Sequence, residues 1–213
     1  MIGIEAGALL RETLQLMLQN GWRIAFSLLL LTGLGIFADM GVDLRDQRSA
    51  DLTISVVNLV LQTWLTIELL KAHGQRHSSR GVGTVLFIGL LSGLGILIGF
   101  ALLVIPGVIL LVRWSMSVPY ALAEDVSATD AMAASFEETR GAFWPLLGIL
   151  LVCYAPFGFA IGSSIWLEPE RITIVSSVLF NLLINLGLLA GWHAAVAIYL
   201  AKRGNSDLAE LFA

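Results

Sequence analysis

Residues 82–123 form one nearly charge-free apolar stretch, which is interrupted by Ile105-Pro106-Gly107 and contains a single charge, Arg113. An apolar helix of about 20 residues crosses the ~30 Å hydrocarbon layer of a bilayer. The stretch is too long for one such helix and fits two, joined by a Pro-Gly turn. A pair of shorter, re-entrant helices that meet at Pro106 is the alternative.

The composition of the whole chain favours a membrane protein. Of its 213 residues, 57% are hydrophobic and 13% are charged, whereas about 25% are charged in soluble domains. The mean hydropathy is +0.86. The sequence therefore predicts an all-α, polytopic helical bundle that forms one integral membrane domain over 1–213. We expect six spans, at about 22–39, 53–71, 84–104, 107–123, 143–166 and 172–200.

The first apolar segment is interpreted as a span and not as a cleaved signal peptide. Its leader is long and acidic, and Ala38 runs directly into Asp39 without a small-residue cleavage site. The net charge of −4 is modest and indicates no nucleic-acid partner.

The distribution of Lys and Arg predicts the orientation of the spans. With the N-terminus inside, one side collects most of the basic residues: Arg11, Arg23, Lys71, Arg76, Arg80, Arg140, Lys202 and Arg203. The opposite side keeps three, at Arg45, Arg48 and Arg171. Basic residues are enriched in cytoplasmic loops, so we expect both termini in the cytoplasm.

Two segments between the spans, 4–20 and 127–140, have the pattern of amphipathic helices that lie on the membrane surface. In the first, Leu9 and Leu16 share a face opposite Glu5 and Glu12. In the second, Ser127 is placed to cap a helix. Such helices pack against the protein's own spans or dock a protein partner or lipid headgroups, and the sequence leaves both alternatives open.

Small residues recur in the spans at four-residue spacing, which lets helix backbones approach closely in lipid. The pattern predicts a tight bundle, and the same faces are candidates for a homo-oligomer contact. The pairs are Gly89 and Gly93, Gly95 and Gly99, Gly158 and Gly162, and Gly187 and Gly191.

Polar residues inside the spans are the candidate functional residues. Counted from the outer ends of their spans, Asn58, Arg113 and Asn181 lie at similar depths. We expect them to form an inward-facing layer in which Arg113 donates hydrogen bonds to both amide oxygens.

A second polar layer near the cytoplasmic edge is predicted to join Glu68, Glu124 and His193. For the polar residues as a whole, three interpretations stay open. They form a network that fixes helix register, an anion or headgroup site around Arg113, or a path for protons or ions.

Motifs for catalysis, metal binding and cofactor binding are lacking. The sequence contains no G-x-S-x-G, no H-E-x-x-H, no paired Cys motif and no phosphate-binding Gly loop that ends in Lys. His73 and His77 have ligand-like spacing, but Gly74 between them disfavours a helix. Cys153 lies in an apolar run and has no second cysteine to pair with. We therefore expect no enzyme activity, no cofactor and no metal.

One region resembles a known family. Residues 102–150 contain Pro106-Gly107, Arg113-Trp114, Pro119 and Glu124, followed by the run from Ser127 to Gly141. This run resembles small bacterial inner-membrane proteins of the YciC-like family and the membrane domain fused to some glycerophosphoryl diester phosphodiesterases. Asp125 departs from the pattern, because the family commonly has Gly there.

The resemblance implies a six-span protein of the bacterial inner membrane, with Arg113 and Glu124 as the positions to test. In the fused members the phosphodiesterase chemistry belongs to a soluble domain, which we do not expect here. Two functions follow as hypotheses: a non-enzymatic module that binds lipid or a protein partner in envelope homeostasis, or a small transporter or channel with a polar path around Arg113.

Overall fold

The fold was analysed in a computed structural model that describes residues 5–41, 47–75, 81–164 and 173–211. These residues form helices and no strand, which confirms the all-α prediction. The nine helices of the described part are α1 (Ala6–Gln19), α2 (Gly21–Gly41), α3 (Gln47–Ala72), α4 (Val82–Leu102), α5 (Val104–Arg113), α6 (Ser117–Glu124), α7 (Ala128–Glu138), α8 (Phe143–Ser164) and α9 (Ile174–Leu211).

Six helical segments of the described part are long and apolar enough to cross a membrane, which confirms the predicted number. They are Gly21–Met40, Ser49–Ala72, Val82–Leu102, Val104–Glu124, Phe143–Ser163 and Ile174–Gly204. The predicted end of the fifth span at 166 and the predicted start of the sixth at 172 lie outside the described residues.

The fourth segment is not one continuous helix. It consists of α5 and α6, separated by a turn at Trp114–Met116. The predicted Pro-Gly turn is wrong, because the chain reverses at Leu103 and Pro106 lies in the first turn of α5. A proline is tolerated there, since the N–H that it lacks would have no partner within the helix.

Gly107 belongs to the contact between α4 and α5. A Cβ added to Gly99 would lie 2.8 Å from the Cα of Gly107, so the two backbones touch directly. The four residues around the reversal are apolar and exposed: Leu102, Leu103, Val104 and Ile105. In water such a tip would be unfavourable, which indicates an apolar surrounding.

The core is centred on α9, which packs against α1, α2, α3, α6 and α8. Its residues from Val196 to Tyr199 are almost fully buried. α8 approaches α9 closely at Gly187, where a Cβ would lie 2.7 Å from the Cβ of Phe157. Small residues therefore set the distance between these two helices, as the sequence predicts.

The four predicted small-residue pairs divide into two groups. Gly95 and Gly99 contact Trp114 and Gly107, and Gly187 and Gly191 contact Phe157 and Tyr154. In contrast, a Cβ added to either of the other two pairs would have no neighbouring atom within 4 Å in the described structure: Gly89 and Gly93, and Gly158 and Gly162. The homo-oligomer contact therefore stays a prediction, now confined to the second group.

The two predicted amphipathic helices form as α1 and α7. α1 buries Leu9, Thr13 and Leu16 and packs against α8 and α9. At the start of α7, Ser127 Oγ accepts a hydrogen bond from the Asp130 backbone N–H at 3.2 Å, which confirms the predicted cap. α7 packs against α4, α5 and α6, so both helices bury one face against the chain itself.

Candidate functional site

Arg113 is the last residue of α5, and α7 completes the end of that helix. The turn at Trp114–Met116 directs the Ser117 N–H to the carbonyl of Trp114. The Arg113 carbonyl instead accepts hydrogen bonds from Ser135 Oγ at 2.7 Å and Thr139 Oγ1 at 3.5 Å. The side chains of Ser135 in α7 and of Thr139 directly after it thus replace the backbone donor that a continuous helix would supply.

The guanidinium group of Arg113 faces Phe136 of α7. Its Cζ lies 5.3 Å from the centroid of the Phe136 ring. Nε and Nη1 are buried, and neither has a hydrogen-bond acceptor in the described structure. The ion pairs found in the described part do not include Arg113. A buried cation without an acceptor is unfavourable, particularly in a membrane.

Two other arginines within the spans have carboxylate partners. Arg23 Nη2 lies 2.8 Å from Glu68 Oε2, and Arg23 Nη1 lies 2.9 Å from Asn20 Oδ1. Arg203 forms an ion pair with Glu124, to which Tyr199 also donates a hydrogen bond at 2.5 Å. The unpaired state of Arg113 is therefore particular to its position.

The predicted hydrogen bonds from Arg113 to Asn58 and Asn181 are wrong. Asn58 Oδ1 is buried without a partner. Asn181 Nδ2 donates to Asp39 Oδ2 at 2.8 Å and to the Ser177 carbonyl at 3.0 Å. The prediction assumed a continuous fourth helix, whereas the break after Arg113 directs this residue to α7. Whether these residues bind a ligand remains a prediction.

The Asn181 contact depends on two residues that the sequence analysis missed. Asp39 is the last residue of the predicted first span, where an acidic residue is ordinary and gives no signal of a contact with another span. Gly35 leaves room for the amide, since a Cβ there would lie 2.5 Å from Asn181 Cγ. The four-residue spacing of Gly35 and Asp39 is the signal that could have identified this face.

The predicted second layer does not form as one cluster. Glu68 pairs with Arg23 and also with Lys71 at 3.2 Å. Glu124 pairs with Arg203, and His193 Nδ1 lies 2.7 Å from the Leu189 carbonyl. None of these bonds joins the three predicted residues to one another or to Arg113.

The partners Arg23, Tyr199 and Arg203 were not predicted for this layer. The four-residue spacing of Tyr199 and Arg203 places both on one face of α9 and could have indicated a shared acceptor.

The chemistry available at Arg113 is that of anion binding. A guanidinium group presents planar N–H donors that match the oxygens of a phosphate or carboxylate.

In the described residues, no group of three or more His, Cys, Asp or Glu side chains is placed to bind a metal. Comparison of the chain with family models, with curated proteins and with solved structures finds no match.

Proposed function

We propose that this protein is a non-enzymatic module of the bacterial inner membrane that binds the headgroup of an anionic phospholipid at Arg113. The observation that carries the proposal is the guanidinium group with two buried N–H donors and no carboxylate partner in the described structure. A phosphate is the membrane component that satisfies such donors. This role fits the six apolar helices that make the chain an integral membrane protein.

The surface next to Arg113 is suited to an acyl chain. Ile105, Ile109 and Arg113 are spaced four residues apart, so they share one face of α5. Ile105 is 71% exposed and Ile109 is 37% exposed. A lipid whose headgroup reaches Arg113 can therefore place its tail over both isoleucines, where apolar contact supports binding.

Access to the guanidinium group requires movement of α7, because Phe136 covers it. The turns on both sides of α7 contain a residue with positive φ, Asp125 at 55° and Gly141 at 80°. A small rotation of α7 about these turns would withdraw Phe136 and leave the Nε and Nη1 donors to the headgroup. α7 is thus the cover of the proposed site.

The membrane orientation that we propose places α7 on the cytoplasmic side. Most described basic residues lie near the start of α2 and α8 or towards the end of α3 and α9: Arg23, Lys71, Arg140, Lys202 and Arg203. Such an excess of Lys and Arg is typical of the cytoplasmic side. The resemblance of 102–150 to the YciC-like membrane unit supports a place in the bacterial inner membrane, and envelope homeostasis is the role that we propose for the module there.

The proposal is tested by native mass spectrometry of the protein, incubated with either phosphatidylglycerol or phosphatidylcholine. We expect retention of phosphatidylglycerol by the parent and its loss in Arg113→Ala. Arg140→Ala is the matched control, because it removes the same charge from an exposed pair with Glu137. Arg113→Lys should bind more weakly than the parent, since an ammonium group lacks the paired N–H donors.

Equal lipid retention by the parent, Arg113→Ala and Arg140→Ala would overturn the proposal. So would equal loss in both variants, because the effect would then depend on net charge and not on Arg113. Circular dichroism and size-exclusion chromatography confirm that each variant is folded before its lipid content is compared.

A further inference from the structure

Polar contacts near the end of α2 and the start of α9 fix how the two helices pack against each other. Ser177 Oγ donates to Asp39 Oδ2 at 2.6 Å, and Asn181 occupies the space beside Gly35. Residues at four-residue steps from these contacts lie on the same face of each helix, and the two helices run antiparallel. We call the two facing rows of residues the α2–α9 seam. It consists of Arg23, Ser27, Leu31, Gly35 and Asp39 on α2 and of Ser177, Asn181, Asn185, Leu189 and His193 on α9.

The seam is polar towards both ends and apolar in the middle. Leu31 is 1% exposed and Leu189 is fully buried, and both belong to one buried cluster with Leu61, Leu65 and Trp192. We call the meeting of Leu31 and Leu189 within this cluster the leucine contact. Hydrophobic constrictions of this kind close pores by excluding water. The leucine contact therefore separates the Asp39 end of the seam from the end with Ser27 and His193.

Buried polar atoms on the Arg23 side of the leucine contact have no partner in the described structure. They are Ser27 Oγ, His193 Nε2 and Arg23 Nε, and Ser27 and His193 are fully buried. A hydroxyl in an apolar helix usually bonds to the carbonyl four residues earlier. Thr13 and Thr63 do so, whereas Ser27 does not. Its hydroxyl thus stays available to a group that the chain does not supply.

The hydrogen bonds of His193 determine which ring nitrogen can accept a proton. Nδ1 lies 2.7 Å from the Leu189 carbonyl oxygen, which can only accept a hydrogen bond. Nδ1 therefore carries the hydrogen, and the lone pair of Nε2 is free to accept one. Polar and enclosed sites of this kind hold internal water.

We propose that the α2–α9 seam is a gated proton path in which His193 Nε2 binds the transported proton. A proton from the Arg23 side reaches Nε2 through water held by Ser27 and converts the imidazole to an imidazolium. When Leu31 and Leu189 separate, the proton leaves Nε2 through water past Asn185 and Asn181 to the carboxylate of Asp39. The leucine contact closes the path in the present conformation. This inference is independent of the lipid site at Arg113.

The helices that pack against α9 carry several ionisable groups. They include Arg11 and Glu12 on α1, Arg23 and Asp39 on α2, Asp51, Glu68 and Lys71 on α3, Tyr120 and Glu124 on α6, and Cys153 and Tyr154 on α8. None of them forms a hydrogen bond or an ion pair with His193 in the described structure. The protonation of His193 therefore depends on access of water to the seam.

The test is proton flux into liposomes that contain the purified protein and a pH-sensitive dye, driven by a potassium gradient with valinomycin. Leu189→Ala opens the leucine contact and should raise the flux above that of protein-free liposomes. Leu146→Ala is the matched control, because Leu146 is equally buried on α8 but outside the seam. In the Leu189→Ala background, His193→Leu should return the flux to the protein-free level.

Two results would overturn the proposal. Leu31→Ala opens the same contact from α2. The first contradicting result is that both Leu189→Ala and Leu31→Ala fold but give the proton flux of protein-free liposomes. The second is a raised flux that His193→Leu leaves unchanged or that Leu146→Ala reproduces, since the leak would then not follow the seam. If His193→Leu does not fold, His193→Gln replaces it, because the amide keeps polarity but does not bind a proton at neutral pH.

Discussion

Arg203 and Arg113 are both arginines of apolar helices, yet their surroundings differ. Arg203 has the Glu124 carboxylate as an ion-pair partner and lies near the Tyr199 hydroxyl, and its Cζ lies 6.0 Å from the Tyr120 ring. Arg113 has an aromatic ring at 5.3 Å and no carboxylate in the described structure. The first arginine joins α6 to α9 through an ion pair, whereas the second contacts α7 through the face of an aromatic ring.

The two arginines show how a structural charge is separated from a functional one. A buried ion pair whose members satisfy each other is a structural element, and removal of one member leaves an unpaired charge. A charge that the fold leaves without an acceptor already has the unfavourable free energy of an unpaired charge when no ligand is bound. Its removal should therefore affect a bound ligand more than the fold.

The largest expected effect on stability comes from Glu124→Ala. It removes the carboxylate that pairs with Arg203 and accepts the Tyr199 hydrogen bond, which should lower the free energy of unfolding by about 1.5–3 kcal/mol. The measurement is chemical denaturation in detergent micelles. Glu137→Ala is the control, because its pair with Arg140 is exposed and should contribute less than about 1 kcal/mol. Equal losses of unfolding free energy in the two variants would contradict the distinction between the Glu124 pair and the exposed Glu137 pair.

Ser135→Ala should have an intermediate effect. It removes the 2.7 Å hydrogen bond to the Arg113 carbonyl, so we expect a loss of about 0.5–1.5 kcal/mol in the free energy of unfolding. Because this bond holds α7 over Arg113, the same variant should also retain more phosphatidylglycerol in native mass spectrometry.

Ser163→Ala is the control for Ser135→Ala. Its hydroxyl bonds within its own helix, so neither stability nor lipid retention should change appreciably. A decrease in lipid retention by Ser135→Ala would show that α7 builds the site and does not cover it.

Arg113→Ala should change the stability of the lipid-free protein little, within about 1 kcal/mol in either direction. The variant loses the contact with Phe136 but also removes two buried donors that have no acceptor. Denaturation of delipidated protein in a zwitterionic detergent measures this. A loss as large as that of Glu124→Ala would place Arg113 among the structural charges.

Glu12 of α1 is a partly buried carboxylate, and its substitution should have the smallest effect on stability of the variants considered. Burial raises the pKa of the Glu12 carboxyl above its usual range, and the nearby His73 opposes this shift. The folded state then binds the proton more tightly than the unfolded state, so stability decreases as pH rises through the folded-state pKa.

Glu12→Gln removes this dependence on pH. We expect the variant to have a slightly higher melting temperature than the parent at pH 7. The difference should disappear at or below the ordinary pKa of a glutamate, where Glu12 is protonated in both states. A larger difference at low pH than at pH 7 would contradict the assignment.

Much of the fold follows from the sequence, because hydropathy and capping are local properties. Six helical segments long and apolar enough to span a membrane, the helix at α7 and its Ser127 cap are confirmed in the described residues. The turn between the third and fourth spans is displaced by a few residues, since Pro106 and Gly107 are as suitable for a helix start as for a turn.

The polar contacts could not be predicted in the same way, because they depend on the register between helices. Asn181 pairs with Asp39, and Glu124 pairs with Tyr199 and Arg203. Each contact joins residues at least 75 positions apart, and the first joins residues 142 positions apart. The break after Arg113, which decides its partner, is also absent from the apolar pattern of 104–124.

Binding of an anionic headgroup at Arg113 is tested best by a structure from crystals grown in a lipidic mesophase that contains phosphatidylglycerol. The account predicts density for a phosphate group within hydrogen-bond distance of Arg113 Nε and Nη1, with Phe136 displaced from the guanidinium group. A carboxylate of the chain paired with Arg113, or an undisplaced Phe136 with no lipid beside it, would contradict the claim.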